Sequence, residues 1–342
     1  MTEDKKEKLV LIDGNAVLHR AYHALPPLTT RSGELVNAVY GFASMLLKIL
    51  SDFQPKYLIV AFDTPKPTFR KQEFVGYQAK RPIMDKELSG QIEKVHELVR
   101  TFNIPIFAVE GYEADDVIGS LAEQAASKRQ RQSKSDNLEV VIVTGDRDLM
   151  QLVSEKVKLF MPQKGLSEGQ IFGEKEVEGK MGIPPKQIVD YKGLVGDSAD
   201  NYPGVPGIGP KTAIELLKKF GSLEGIYRRL GDERRNEAGE GIGESVKGKL
   251  REGRESAILS KKLATIVTNV PISLDWEKCQ TKEFDKERVA EFFKELGFRS
   301  LVGRVRGTEA GKAERGGSGG KRRERRGTKG KAETYENQIK LF

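Results

Sequence analysis

The residues of this 342-residue chain best suited to chemistry are carboxylates that directly follow apolar runs. Residues 8–12 (KLVLI) lead to Asp13, and residues 57–62 (YLIVAF) lead to Asp63. Residues 104–109 (IPIFAV) lead to Glu113, Asp115 and Asp116, and residues 138–143 (LEVVIV) lead to Asp146 and Asp148. A further pair, Asp197 and Asp200, stands in the sequence VGDSADN. Ligands of open α/β sheets bind beyond the carboxyl ends of the strands, so parallel pairing of these runs would bring the acids to one edge. Like charges crowded there require bound protons or cations. An all-oxygen donor set, without a cysteine or histidine cluster, favours Mg2+ or Mn2+. Two such ions suit the attack and departure of oxygens at a phosphodiester. Each acid alone also reads as a turn former or helix N-cap, and Asp115 and Asp116 as residues that favour a helix start. Recurrence after every strand-like run favours the metal site.

A second constellation is PGVPGIGPKTAIELL at 203–217, where Gly204, Gly207 and Gly209 precede an amphipathic stretch. This has the texture of a helix–hairpin–helix, whose backbone N–H groups and helix N-terminus meet phosphates without reading bases. Lys211, Lys218 and Lys219 add charge beside it. A Walker loop does not fit, because Pro210 separates Gly209 from Lys211-Thr212 and no strand precedes it. A dinucleotide loop does not fit either, since Thr212 stands where the third glycine belongs. A plain Gly-Pro turn is the remaining alternative. Between residues 64 and 82, Lys66, Arg70, Lys71, Lys80 and Arg81 interleave with Phe69, Phe74 and Tyr77. That alternation suits a single strand, with phosphates paired and bases stacked, and also suits an ordinary solvated helix pair.

The elements that must position these groups alternate. Helix-like stretches at 36–50, 85–102 and 115–127 separate the four strand-like runs, which predicts an α/β fold with a mainly parallel sheet flanked by helices. Residues 128–137 (KRQRQSKSDN) read as a solvated loop. After about residue 160, Gly-Pro punctuation predicts a smaller, mostly helical region over 182–303. From residue 306 the chain is rich in Gly, Lys and Arg, which predicts a disordered tail. That tail carries +6 of the net charge of +8, leaving the body nearly balanced. The single cysteine, Cys279, excludes an internal disulfide and fits a reducing compartment. His19, His23 and His96 are the only histidines and form no zinc or triad pattern. No apolar run nears the roughly 20 residues that span a bilayer, and the charged start does not read as a signal peptide. A cytoplasmic protein without membrane contact is expected.

Five motifs, in register from about residue 8 to 303, carry a family resemblance: LIDGNAVLHRAYHALPPL, VAFDTPKPTFR, YEADDVIGSLA, TGDRDLMQLV and GDSADNYPGVPGIGPKTA. They resemble the 5′–3′ exonuclease domain of bacterial DNA polymerase I, within the flap endonuclease superfamily. The resemblance implies a PIN-like catalytic domain over 1–181 with a helical arch at about 64–100. It further implies a helix–three-turn–helix DNA-binding region over 182–305, then a basic tail over 306–342.

By the resemblance, Asp13, Asp63, Glu113, Asp115, Asp116, Asp146, Asp148, Asp197 and Asp200 match metal-binding acids for two Mg2+ or Mn2+ ions. Arg20, Tyr22, Arg70, Tyr77 and Arg81 match residues that approach the substrate, and Gly204, Gly207, Gly209, Lys211 and Thr212 fall in the duplex-binding loop, whose carbonyls also hold K+ in the family. The chain departs from the family at Gln78, where a lysine usually contacts the scissile phosphate, so Lys80 or Arg70 is expected to take that role beside Arg81.

No proofreading or polymerase sequence follows residue 303, which reads as a free-standing, monomeric nuclease for DNA with 5′ ends, flaps or nicks. Gln338, Leu341 and Phe342 are similar to the short peptide that docks bacterial replication proteins on the sliding clamp. Two rival functions share these features. One is a clamp-tethered binder of DNA structures with weak cleavage, and the other is a PIN-type ribonuclease that would not need the hairpin.

Overall fold

The computed structural model describes residues 6–127, 137–163, 168–231 and 242–307. Most of the loop expected at 128–137, and the tail with Gln338, Leu341 and Phe342, lie outside the described residues. The chain runs β1 (Glu7–Asp13), α1 (Gly14–Ala24), α2 (Asn37–Phe53), β2 (Tyr57–Ala61), α3 (Phe69–Glu73), α4 (Lys86–Ser89), α5 (Ile92–Thr101) and β3 (Ile106–Phe107). It continues with α6 (Ala114–Ala126), β4 (Leu138–Val143), a 3-10 turn (Asp148–Leu152), β5 (Val157–Pro162), β6 (Gly169–Phe172) and α7 (Glu174–Met181). The remainder is helical: α8 (Ile188–Val195), α9 (Pro210–Phe220), α10 (Leu223–Gly231), α11 (Glu244–Glu252), α12 (Arg254–Ala264), α13 (Trp276–Cys279), α14 (Lys286–Glu295) and α15 (Arg299–Arg306). Among the described residues, no helix is long and apolar enough to cross a membrane.

The sheet order is β3-β2-β1-β4-β5-β6, parallel except for β6. Successive side chains of a strand point to opposite faces, and both faces are covered here. Leu9 and Leu11 of β1 enter one core with α6, while Val10 and Ile12 enter another with α1, α2 and α5. This is why the strands read as unbroken apolar runs. The first core extends without a break through Ile188, Leu194, Val205, Ile208 and Leu217 of the helical region. The last helices, α14 and α15, pack on the opposite face through Val289, Phe293 and Leu301. Residues 182–305 therefore divide between the two faces of the sheet.

Four expectations change in detail. The run at 104–109 pairs as a strand only at Ile106–Phe107, because the Ile104 N–H closes on Val99 O at 3.2 Å and Pro105 has no N–H to give. The helix expected over 85–102 divides around Gly90-Gln91, and the buried Gln91 Oε1 accepts the N–H groups of Ala38 and Val39 at 2.9 and 3.3 Å. Strands β5 and β6 were not expected; three of the four residues of β6 are exposed, so this edge strand has little apolar signal. Finally, the arch segment is helical only in α3 before residue 86, and residues 74–85 form turns and extended chain.

Candidate metal centre

Topology sets the location of the site. The connection leaving β1 packs on one face of the sheet and that leaving β4 on the other, so a crevice opens between their carboxyl ends. Asp13 ends β1, and its Oδ1 caps α1 by accepting the Ala16 N–H at 2.9 Å. Its other oxygen accepts the Thr144 hydroxyl, across the switch point, at 2.7 Å. Thr144 Oγ1 in turn accepts the Asp146 N–H at 2.9 Å, and Asp146 Oδ1 accepts the Asp148 N–H at 2.8 Å. Asp63 follows β2 and accepts the Ala114 N–H at the start of α6 at 2.7 Å. The capping interpretation of these acids is therefore correct in part, and capping is what fixes their orientation.

The electrostatics of this first group are those of crowded carboxylates. Burial, with Asp63 adding repulsion, raises the Asp13 pKa to about 6. Burial, then Asp148 and Asp13, raises Asp146 to about 7. Burial, then Asp13, Asp146, Asp63 and Glu113, pushes Asp115 well above the ordinary carboxylate range. Burial raises Glu113 to about 7 despite the opposing Arg70. Without a cation, such a group retains protons near neutral pH.

The second group is neutralised differently. One oxygen each from Asp148, Asp197 and Asp200 lie within 4.8 Å of one another, a spacing that fits a single cation. Lys192 of α8 contacts two of these acids, Asp148 at 2.6 Å and Asp197. Burial pushes the Asp197 carboxyl up, but Lys192 outweighs it and the net shift is downward. Arg81 pairs with Asp200 at 2.5 Å. The all-oxygen donors and their spacing fit divalent ions of the Mg2+ class. Sequence reading missed Lys192; its signal was a lysine five residues before Asp197, at the end of an apolar helix.

Arg70 and Asp116 require correction. Both are buried, at 2% and 0% exposure, and the guanidinium grips both Asp116 oxygens at 2.7 and 2.8 Å. Arg70 also donates to the carbonyls of Leu263 and Thr265, at 2.8 and 2.9 Å, and to Glu113 at 3.3 Å. Asp116 additionally accepts the Val267 and Glu113 N–H groups. Neither residue has a group left for an ion or a substrate: together they clasp the arch segment to α6, to the last turn of α12 and to the chain that follows it.

Other expected substrate contacts are also engaged internally. Tyr77 is buried and its hydroxyl donates to Glu113 at 3.2 Å. Tyr22 donates to Asp85 at 3.0 Å, and Arg20 donates to the Gln163 carbonyl. Lys80 is exposed, whereas Gln78 has left-handed backbone (φ +55°) and its N–H closes on Asp200 O at 2.9 Å.

The hairpin lies between α8 and α9. Gly204 has φ +62°, and a Cβ there would stand 2.2 Å from the Gly196 nitrogen, so only glycine fits. Gly209 precedes α9 with open space beside it, Lys211 is exposed, and Thr212 is half-buried.

Comparisons with known proteins cover both parts of the chain. Residues 8–182 match the 5′-3′ exonuclease, N-terminal resolvase-like domain, and residues 183–287 match the 5′-3′ exonuclease, C-terminal SAM fold. The chain is 43% identical over 297 residues to DNA polymerase I of Bacillus caldotenax, covering 87% of this chain and 32% of that protein. It is 42% identical over 314 residues to DNA polymerase I of Bacillus subtilis (92% and 34%). The chain thus spans about a third of the length of these relatives. In fold it is similar to T5 5′-exonuclease with bound divalent metal ions (zinc) at TM-score 0.58 and 19% identity, covering 88% of this chain and 98% of that one. The catalytic core of Rad2 in complex with DNA substrate gives TM-score 0.58 at 17% identity, with 89% and 92% covered.

Two expected outcomes follow from these contacts. Arg70→Ala leaves the Asp116 charge buried and unpaired, so urea unfolding should show a loss of about 3–5 kcal/mol; a variant that keeps parental stability while losing activity would overturn the clasp assignment. In EDTA, the folded chain holds protons on Asp13, Glu113 and Asp146 that the unfolded chain has released above about pH 4. Stability should therefore fall as pH rises from about 4 to about 7 and then level, with Mg2+ reversing the loss. Thermal unfolding at about pH 5 and about pH 8 measures this, and a stability that rises over that range in EDTA would contradict it.

Proposed function

Because the chain belongs to the 5′–3′ exonuclease family, we propose that it hydrolyses DNA phosphodiesters at 5′ ends and 5′ flaps during replication and repair. The observation that carries this reading is the pair of adjoining acid groups at the switch point, with the glycine hairpin beside them. Asp13, Asp63, Glu113, Asp115 and Asp146 would hold one divalent ion, and Asp148, Asp197 and Asp200 a second. Mg2+ or Mn2+ bound there would supply an activated water and neutralise the charge that develops on the phosphodiester oxygens.

The chain's own groups prepare the rest. Lys192 holds Asp148 and Asp197, and Arg81 holds Asp200, so each of these acids has a cationic partner before substrate arrives. Gln78 brings no charge to a phosphate, and Arg70 is committed to Asp116. Arg81 remains, half-exposed and in reach of the acids, as the group that would move from Asp200 to a substrate phosphate. Exposed Lys80 adds charge nearby. The hairpin and the first turn of α9 would meet duplex phosphates through backbone N–H groups and Lys211. At the other end of the chain, Gln338, Leu341 and Phe342 would dock on a bacterial sliding clamp, a polar residue and two apolar ones filling a small pocket.

Cleavage of a labelled 5′-flap duplex with Mg2+ should fall on the order of a hundredfold or more in EDTA or with Asp115→Asn. Equal cleavage in all three would sink the proposal. Deleting residues 338–342 should abolish clamp binding and leave activity on short substrates intact; unchanged clamp affinity would remove the docking reading.

A further inference from the structure

Tyr202, between α8 and α9, is buried at 3% exposure, and no described residue gives its hydroxyl a hydrogen-bond partner. A buried hydroxyl without an acceptor is disfavoured and rare in folded chains. The residue is held firmly all the same. Its N–H donates to Asp197 O at 3.0 Å and its carbonyl accepts the Asp197 N–H at 2.9 Å, which makes an antiparallel bridge. Residues directly opposed in such a pair put their side chains on one face. The Tyr202 ring packs with Tyr77, Leu263 and Ala264. The charges that act on its hydroxyl are all carboxylates: Asp148, Asp197 and Asp200 of the outer group, then Asp146 of the sheet group. The first three offer oxygens within 4.8 Å of one another. Tyr77, from the same apolar cluster, shows the contrast, because its hydroxyl donates to Glu113 at 3.2 Å. Tyr202 faces acids too, yet is bonded to none of them.

We propose that Tyr202 is a positioning residue for the outer acid group: when Asp148, Asp197 and Asp200 hold a divalent ion, its hydroxyl donates to an oxygen of that ion's coordination shell. The inference rests on the proposed function, which assigns those three acids to a second ion. A phenol has one proton to donate, and donors behind the ligands of a metal site fix ligand orientation and raise affinity. The bridge to Asp197 ties this donor to one of the ligands it serves. Lys192 and Arg81 hold the same acids by charge, and a divalent ion beside them repels both. The Tyr202 hydroxyl is neutral, so it can stay and donate while the cation is bound.

The test titrates the full chain with Mn2+ in the absence of DNA, reading free Mn2+ by electron paramagnetic resonance, and follows thermal unfolding in EDTA and in Mn2+. The parent should bind an ion at each acid group, and Asp197→Asn should remove the outer one. Tyr202→Phe should weaken the outer ion about tenfold or more and leave the other within about twofold of the parent. In EDTA, Tyr202→Phe should unfold at or above the parental temperature, because it removes a hydroxyl that has no partner, but it should gain less from Mn2+. Added to Asp197→Asn, it should change ion binding no further. A Tyr202→Phe chain that binds both ions as the parent does overturns the inference alone. So does one that unfolds below the parent in EDTA, which marks a hydrogen bond serving the fold and not the ion. A parent whose ion binding is unchanged by Asp197→Asn overturns the second ion of the proposed function and this inference with it.

Discussion

Mutual repulsion among carboxylates governs this molecule. Parallel strands place their carboxyl ends at one edge, and this sequence puts an acid at or soon after each of four strand ends. The fold relieves the repulsion in two ways. At the sheet group, burial and crowding hold protons on Asp13, Asp115, Asp146 and Glu113. At the outer group, Lys192 and Arg81 supply positive charge directly. The first group is thus neutralised by protons, and the second by side chains.

The arch segment links both groups. Its Arg70 is locked to Asp116, while its Tyr77 hydroxyl and Thr68 hydroxyl reach Glu113. A few residues on, the Gln78 N–H closes on the Asp200 carbonyl and the Asn201 amide donates to Gly76 O at 2.7 Å. Gln78 and Asn201 both have left-handed backbone, at φ +55° and +57°, so two tight turns meet there. Tyr77 and Tyr202 pack together beneath the contact with Leu263 and Ala264. Any movement of the segment toward a substrate is therefore coupled to the positions of Glu113 and Asp200.

The helical region is more than a platform attached to the sheet. One apolar core runs from β1 and β4 into α8, α9 and α12, so rigid packing fixes the distance between the acids and the hairpin. Helix α8 carries Lys192 on one side and the Val195-Gly196 turn against Gly204 on the other. The acid groups and the hairpin share a single support.

The sequence by itself determined the strand order of chemistry: apolar run, then acid, repeated along the chain, with a glycine hairpin after the last pair. These are local patterns: β1, β2 and β4 were legible as unbroken apolar runs, and α2 and α6 through helical apolar periodicity, each with a clear stop. What only the tertiary structure decided was which neighbours of similar chemistry face the site. Asp115 and Asp116 are adjacent, yet one helical step of about 100° sends Asp115 toward Asp13 and Asp146 and Asp116 toward Arg70. Arg70 and Arg81 look alike in sequence, but one is buried in a clasp and the other half-exposed beside Asp200. Lys192 has a local partner in Asp197, five residues on, but its contact with Asp148 is created only by long-range packing. The strand-end acids were written in the chain, while their division into a proton-neutralised group and a side-chain-neutralised group depended on contacts that exist only once the chain has folded.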